Sequence, residues 1–217
     1  QKRKGHKGGN PKLTGFPQHT SAAFLLAQEG RTLAVRLHRR DMPTFCAFVK
    51  ADLENVASVA PKTTESVWVI DVKNGQSDEE RKGVEIDAEN EVDLEGSRGV
   101  AHLVLKFADA AEKANCSIVT PEEYRAKFKG KKKFDAAQPR AVDASDSGDW
   151  VPFLAFEARG LDVTNVHIGG DNFVVVSTGG ETFDGADLSD GDWSDYDEKH
   201  ELPVSITNLQ VKVDSIR

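Results

Sequence analysis

Six histidines, two cysteines and one acidic stretch are the side chains in this sequence able to hold a metal or move a proton. His6, His19, His38, His102, His167 and His200 are scattered, and none sits in an HExxH frame. There is no GxSxG elbow, no GxGxxG turn and no phosphate loop. Each histidine therefore reads as a surface or core residue, no catalytic residue is assigned, and the expectation is a protein that is not an enzyme. Cys46 and Cys116 are the only cysteines, too few for a disulfide framework or a four-thiolate zinc site. With His102 they supply three donors at most. The acidic residues Asp184, Asp187, Asp190, Asp192, Asp195, Asp197, Glu198 and Glu201 fail as a calcium loop: placing Gly191 at the sixth position puts Ala186 at the first. They read as a solvated loop anchored by Trp193 and Tyr196, the functional alternative being a docking face for a basic protein. No cofactor is expected.

The basic residues are more informative. The formal net charge of −8 is the balance of two unlike parts. Residues 1–41 hold nine Lys or Arg and two acids, and the remainder holds 19 basic and 34 acidic groups. A basic arm on an acidic body implies that the arm has its own partner. Within the arm, Lys2, Arg3, Lys4, Lys7 and Lys12 alternate with glycine, a composition that lets backbone approach phosphate closely. Leu13 and Phe16 are its apolar contacts. A second basic run, Lys129, Lys131, Lys132 and Lys133, lies in the body before Phe134, either as a solvated loop or as a contact with phosphate or an acidic neighbour.

These residues must be positioned mostly by strands. In the arm, residues 22–27 read as a short helix capped by Ser21, and Leu33, Val35 and Leu37 alternate as a strand. Residues 45–59 and 66–72 are rich in β-branched and aromatic residues. Asn74-Gly75 reads as a turn, 76–82 as a loop, 84–92 and 101–107 as strands, and 108–114 as a helical turn. Thr120 caps a helix opening at Pro121 and running to about Lys127. Residues 136–148 read as a linker; strands follow at 150–158, 173–178 and 202–213, with Trp68, Trp150 and Trp193 as core anchors. No run approaches the roughly 18 apolar residues of a membrane-spanning helix, so no integral membrane segment is expected. Ala47-Phe-Val-Lys-Ala-Asp-Leu53 also matches Ala155-Phe-Glu-Ala-Arg-Gly-Leu161 at an offset of 108 residues. The expected fold is mainly β: two similar β-rich halves, about 42–135 and 150–217, stacked as a tandem sandwich or barrel-like body behind the extension 1–41.

Four segments carry a family resemblance: Lys50-Ala-Asp-Leu-Glu-Asn-Val56, Leu94-Glu-Gly-Ser-Arg-Gly99, Glu157-Ala-Arg-Gly-Leu161 and Asp192-Trp-Ser-Asp-Tyr-Asp-Glu-Lys199. With them, residues 42–217 resemble the eukaryotic CXXC-motif-containing zinc-binding proteins. The resemblance implies a β-rich body of two similar halves. It also implies two CXXC pairs holding one zinc, and here the sequence departs from the pattern. The pairs fall on Asn74-Gly-Gln-Ser77 and Phe107-Ala-Asp-Ala110, so Asn74, Ser77, Phe107 and Ala110 stand where thiolates are needed. None is a thiolate, and phenylalanine and alanine carry no donor at all. The expectation is a member of the family that has lost its metal, with Phe107 filling the space.

For function, these readings lead to a structural or accessory subunit of a large mitochondrial assembly, on the matrix side. The missing initiator and basic start suit an imported, processed chain. The lysine-rich arm favours the mitochondrial ribosome, with rRNA among the arm's expected partners, over a respiratory-chain complex or ATP synthase. In either host other subunits are expected partners. A free-standing metal- or copper-trafficking factor is the alternative.

Overall fold

The computed structural model describes residues 43–216. The arm positions Lys2, Arg3, Lys4, Lys7, Lys12, Leu13 and Phe16, and the helix and strand expected before residue 42, lie outside the described residues.

Strands dominate because apolar and polar residues alternate along most segments. The first half of the body contains β1 (Thr44–Glu54), β2 (Val56–Pro61), β3 (Val67–Asn74), β4 (Glu80–Asp87), β5 (Val92–Asp93), β6 (Val100–Ala101), β7 (Leu103–Leu105) and β8 (Ala114–Val119). Helix α1 (Pro121–Phe128), a 3-10 segment (Lys132–Ala137), β9 (Val142–Asp143) and a second 3-10 segment (Ala144–Asp146) follow. The second half contains β10 (Val151–Arg159), β11 (Leu161–His167), β12 (Phe173–Ser177), β13 (Thr182–Ala186), β14 (Trp193–Asp197) and β15 (Leu202–Ile216).

One curled sheet has the order β14-β15-β1-β10-β8-β7, and two smaller sheets run β11-β3-β4 and β13-β12-β2-β9. Exchanging β1 with β10, β2 with β11, β3 with β12, β4 with β13, β7 with β14 and β8 with β15 reproduces these pairings. The body thus has a pseudo-two-fold axis through the antiparallel β1–β10 pair, where Phe45 faces Phe156 and Ala47 faces Leu154. The halves share a strand order, as the repeated segment suggests, but they interleave rather than stack. Strand β3 pairs with β11, and β2 with β12, so neither half completes its sheets alone. The corresponding turn residues are Asn55 and Gly160, both at positive φ; they are three residues out of step with the 108-residue match. At Gly160 a Cβ would also stand 3.3 Å from Ala114 Cβ, so the turn needs glycine for both conformation and space.

The core lies where the three sheets meet. Trp68 of β3, Phe153 of β10 and Phe173 of β12 form an aromatic triangle with centroid distances of 5.5–6.1 Å. Trp68 is fully buried, and its indole N–H donates to Lys62 O and Ser66 Oγ at 3.1 Å. Truncating such a ring costs about 3–5 kcal/mol. A smaller apolar cluster covers the opposite face of the curled sheet: Cys46, Val119 and Ala155 pack against Tyr124, Phe128, Phe134 and Ala137.

Several expectations change here. Residues 45–59 are two strands broken at Asn55, whose side chain donates to Pro203 O at 2.7 Å. The loop expected at 76–82 gives way to β4 from Glu80, and 84–92 does not run on as one strand. Residues 108–113 are turn and bend rather than helix, and they lead into β8, an unexpected strand whose Ala114, Cys116 and Ile118 face the core. The acidic stretch supplies β14 and the end of β13 rather than one loop. Residues 136–148 are not a free linker: Val142 pairs with Val59, Gly148 N donates to Ala51 O, and Arg140 clasps Asp146 at 2.6 and 2.7 Å. Trp150 is exposed and lies under Lys212 Nζ at 5.2 Å, so it is no core anchor. Helix α1 forms where expected, with Thr120 and Glu123 completing a capping box. Among the described residues no helix is long and apolar enough to cross a membrane.

Candidate functional site: two cross-hairpin clasps

The topology brings residues 74–77, at the β3–β4 turn, against residues 107–110, between β7 and β8. Asn74 is the last residue of β3 and is buried. Its side-chain amide donates to Asp109 Oδ1 at 2.9 Å, and its Oδ1 accepts from Gln76 N at 3.0 Å. Ser77, Asn74 and the loop backbone hold the Asp109 carboxyl below its usual range by hydrogen bonding. Glu79 reaches across and accepts from Ala108 N at 2.7 Å, while Arg81 donates to Lys106 O at 2.6 Å. Arg81 also lies over the Phe107 ring, 5.3 Å from its centroid. Phe107 is almost fully buried in the main core, and Ala110 packs beside it.

The pseudo-two-fold mate of this place joins the β12–β13 turn to the β14–β15 turn. Ser177, the last residue of β12, donates through Oγ to Asp197 Oδ2 at 2.5 Å. His200 N donates to Asp197 Oδ1 at 3.0 Å, and the His200 ring lies 3.0 Å from both carboxyl oxygens. Burial works to raise the Asp197 pKa; the Ser177 hydroxyl, the His200 amide and the His200 ring outweigh it and hold the carboxyl below its usual range. Gly179 is required here, because a Cβ would lie 2.4 Å from His200 Nδ1 and 2.5 Å from Asp197 Oδ2. Serine, aspartate and histidine do meet, yet the carboxylate stands between the other two. No imidazole touches the hydroxyl, so the general-base arrangement is absent.

The remaining donors are dispersed. Cys46 faces the outer cluster and its Sγ donates to Ala137 O at 3.3 Å; burial raises its thiol to about 12. Cys116 faces the main core on the other side of the same sheet, and burial raises it too. These thiols cannot share an ion. His102 Nδ1 accepts from Ile118 N at 3.0 Å, which commits that nitrogen to the fold. His167 bonds Asp71 at 2.8 Å. Among the described residues no three His, Cys, Asp or Glu converge on a cation.

A family profile described as CXXC motif containing zinc binding protein, eukaryotic, matches residues 47–214. The chain belongs to this family. The mouse CXXC motif containing zinc binding protein is 27% identical over 159 residues, covering 73% of this chain and 89% of its own length. A hypothetical protein from Plasmodium falciparum superposes with a TM-score of 0.67 at 25% identity, covering 80% of this chain and all of its own. The crystal structure of C1orf123 gives a TM-score of 0.66 at 24% identity, covering 79% of this chain and 99% of its own. The zinc in the family's name does not fit the residues found here. Asn74, Ser77, Phe107 and Ala110 offer no thiolate, and Asp109 and Glu79 are already engaged across the two turns. These four positions were reached through the family resemblance and were not singled out by the sequence itself. It gave no sign of Asn74–Asp109 and Glu79–Ala108 as cross-links, since such pairings appear only when turns distant in sequence meet.

Proposed function

We propose that this family member is a non-catalytic accessory subunit of a large mitochondrial assembly on the matrix side, the mitochondrial ribosome being the first host to test and a respiratory-chain complex or ATP synthase the next. The observation that carries the reading is the clasp at residues 74–77 and 107–110. Where the family resemblance implies a zinc held between two CXXC turns, this chain joins the corresponding turns with its own side chains, which suits a scaffold that acts by shape. A hollow between β1, β2, β10 and β12 is lined by apolar residues such as Val49, Val59, Phe153 and Ile206, which offers no chemistry. The basic composition of residues 1–41 against the acidic body supports an arm with its own partner in the host. The alternative, a free-standing metal- or copper-trafficking factor, requires exchangeable thiolates; here two buried thiols lie on opposite faces of one sheet.

The test is sedimentation of a mitochondrial lysate, with and without RNase, while following this chain. Migration with a large particle is expected, and RNase-sensitive migration identifies the ribosome. Recovery only as a free, slowly sedimenting species overturns the reading. Elemental analysis of the purified chain is the companion: one equivalent of tightly held zinc would contradict the metal-free clasp.

A further inference from the structure

Outside both clasps, the body carries a concentration of positive charge that the fold does not use. Arg125, Lys127, Lys129, Lys131, Lys132 and Lys133 lie within nine residues with no acid among them, all exposed. Elsewhere Lys62, Lys73, Lys113, Arg140 and Lys212 each meet a carboxylate. Here only Lys127 does, with Glu157. Five like charges stay unpaired on a body where acids outnumber bases 34 to 19. Their mutual repulsion is unfavourable until a polyanion neutralises it.

The patch is also built. Gly130, at φ +78°, reverses the chain after α1, and Lys131 N and Phe134 N close successive turns onto Phe128 O and Lys131 O. The reversal stacks Phe134 on Phe128, with centroids 4.0 Å apart and planes at 15°. Lys131 Nζ lies 5.5 and 5.8 Å from the two ring centroids, and Lys133 Nζ lies 4.8 Å from that of Phe134. The stacked pair belongs to the smaller cluster, which fixes the cations to the face of the curled sheet opposite the main core.

We propose that Arg125, Lys129, Lys131, Lys132 and Lys133 form a phosphate-backbone contact for RNA. This deepens the ribosomal form of the reading above and rests on it for the nucleic acid's identity. Four of the five are lysines, which meet phosphate as point charges. Phe128 and Phe134 are each 7% exposed, so bases cannot stack on them and the contact is with backbone, indifferent to sequence. Outside the patch the body holds 13 basic and 34 acidic groups, so on balance it repels a polyanion. Attraction operates only within about a Debye length, roughly 8 Å at physiological salt, so the patch sets which face meets the RNA.

The test uses the full chain with Lys2, Arg3, Lys4, Lys7 and Lys12 changed to Gln, which removes five of the nine basic residues of the arm. On that background, binding of a fluorescent oligouridylate is followed by anisotropy between roughly 50 and 200 mM salt. Changing Lys129, Lys131, Lys132 and Lys133 to Gln should make the log–log salt slope shallower by about 3, at roughly 0.7 per lost phosphate contact on a single strand. The pair Lys129→Gln/Lys132→Gln, whose side chains make no hydrogen bond, ion pair or ring contact, should make it shallower by about 1.5 without disturbing the fold. An unchanged slope in the pair variant overturns the proposal. So does a poly-glutamate peptide that binds as tightly as the RNA, which would assign the patch to an acidic protein. The two readings fail separately. RNase-sensitive sedimentation with unchanged slopes leaves the ribosomal host standing and removes the patch. Altered slopes in a chain that joins no RNA-containing particle keep the patch and remove the host.

Discussion

The two clasps occupy equivalent places in the two halves and solve the same mechanical problem. In each, the last residue of a strand reaches from one hairpin to a carboxylate on the next: Asn74 to Asp109, and Ser177 to Asp197. They differ in what surrounds the bond. Asp109 is exposed and the weight of its clasp rests on the buried Phe107 ring, whereas Asp197 is itself fully buried and takes its support from hydrogen bonds. One half therefore holds its turns by packing with a polar surface link, and the other by a buried polar knot. In the second, side chains alone link the two turns: Ser177, Asp197 and His200.

The comparison breaks first at Phe107. Truncation to Ala leaves a void under Arg81 and between the two turns, and should cost about 3–5 kcal/mol. A lowered urea midpoint with unchanged slope is the expected reading, and a loss below about 1 kcal/mol would show that packing does not hold this clasp. The next largest effect belongs to the buried knot. Asp197→Ala strands the Ser177 hydroxyl and the His200 amide, at about 1–3 kcal/mol for each buried group left unsatisfied. Gly179→Ala should act on the same knot by pushing the His200 ring away, and the losses from the two changes should then fail to add. Strict additivity would separate Gly179 from the clasp.

A smaller effect is expected at the surface link. Asn74→Ala should cost about 1 kcal/mol, and in a double-mutant cycle with Asp109→Ala the second change should add little once Asn74 is gone. Independent losses would mean that Asn74 stabilises its own turn through Gln76 rather than joining the two.

How much of this was legible in the sequence depends on the range of the interaction. Helix α1 could be read because its capping box is local, Thr120 to Glu123. The β class could be read from alternation, and the internal similarity from a seven-residue match. The interleaving could not, because antiparallel pairing of β3 with β11 leaves no local mark. Strand β8 was hidden by the polar turn before it and by its length of six residues. Asn74, Ser77, Phe107 and Ala110 were singled out only through family resemblance. The second clasp was not, since Ser177, Asp197 and His200 look ordinary until the two hairpins meet. Trp150 misled because aromatic character signals burial only when the strand face is known, and its face carries Lys212 instead.

The smallest expected effect is the one that separates the carboxylates by pH. Both Asp109 and Asp197 are held below the usual carboxylate range, so both bind protons less readily in the folded chain than in the unfolded one. Their stabilising contribution is complete above the unfolded value, about 3.9, and is lost as pH falls through the depressed folded values. Asp109 is exposed, and water competes for its hydrogen bonds. Asp197 is enclosed, with a hydroxyl, an amide and an imidazole within 3.0 Å. Protonating it removes an acceptor from a place that water does not reach. The acid limb of the stability curve should therefore flatten in Asp197→Asn far more than in Asp109→Asn, and the Asp109 contribution, made of hydrogen bonds, should be insensitive to added salt. Measured as unfolding midpoint against pH at two salt concentrations, equal flattening in the two variants would show that the knot and the surface link are electrostatically alike.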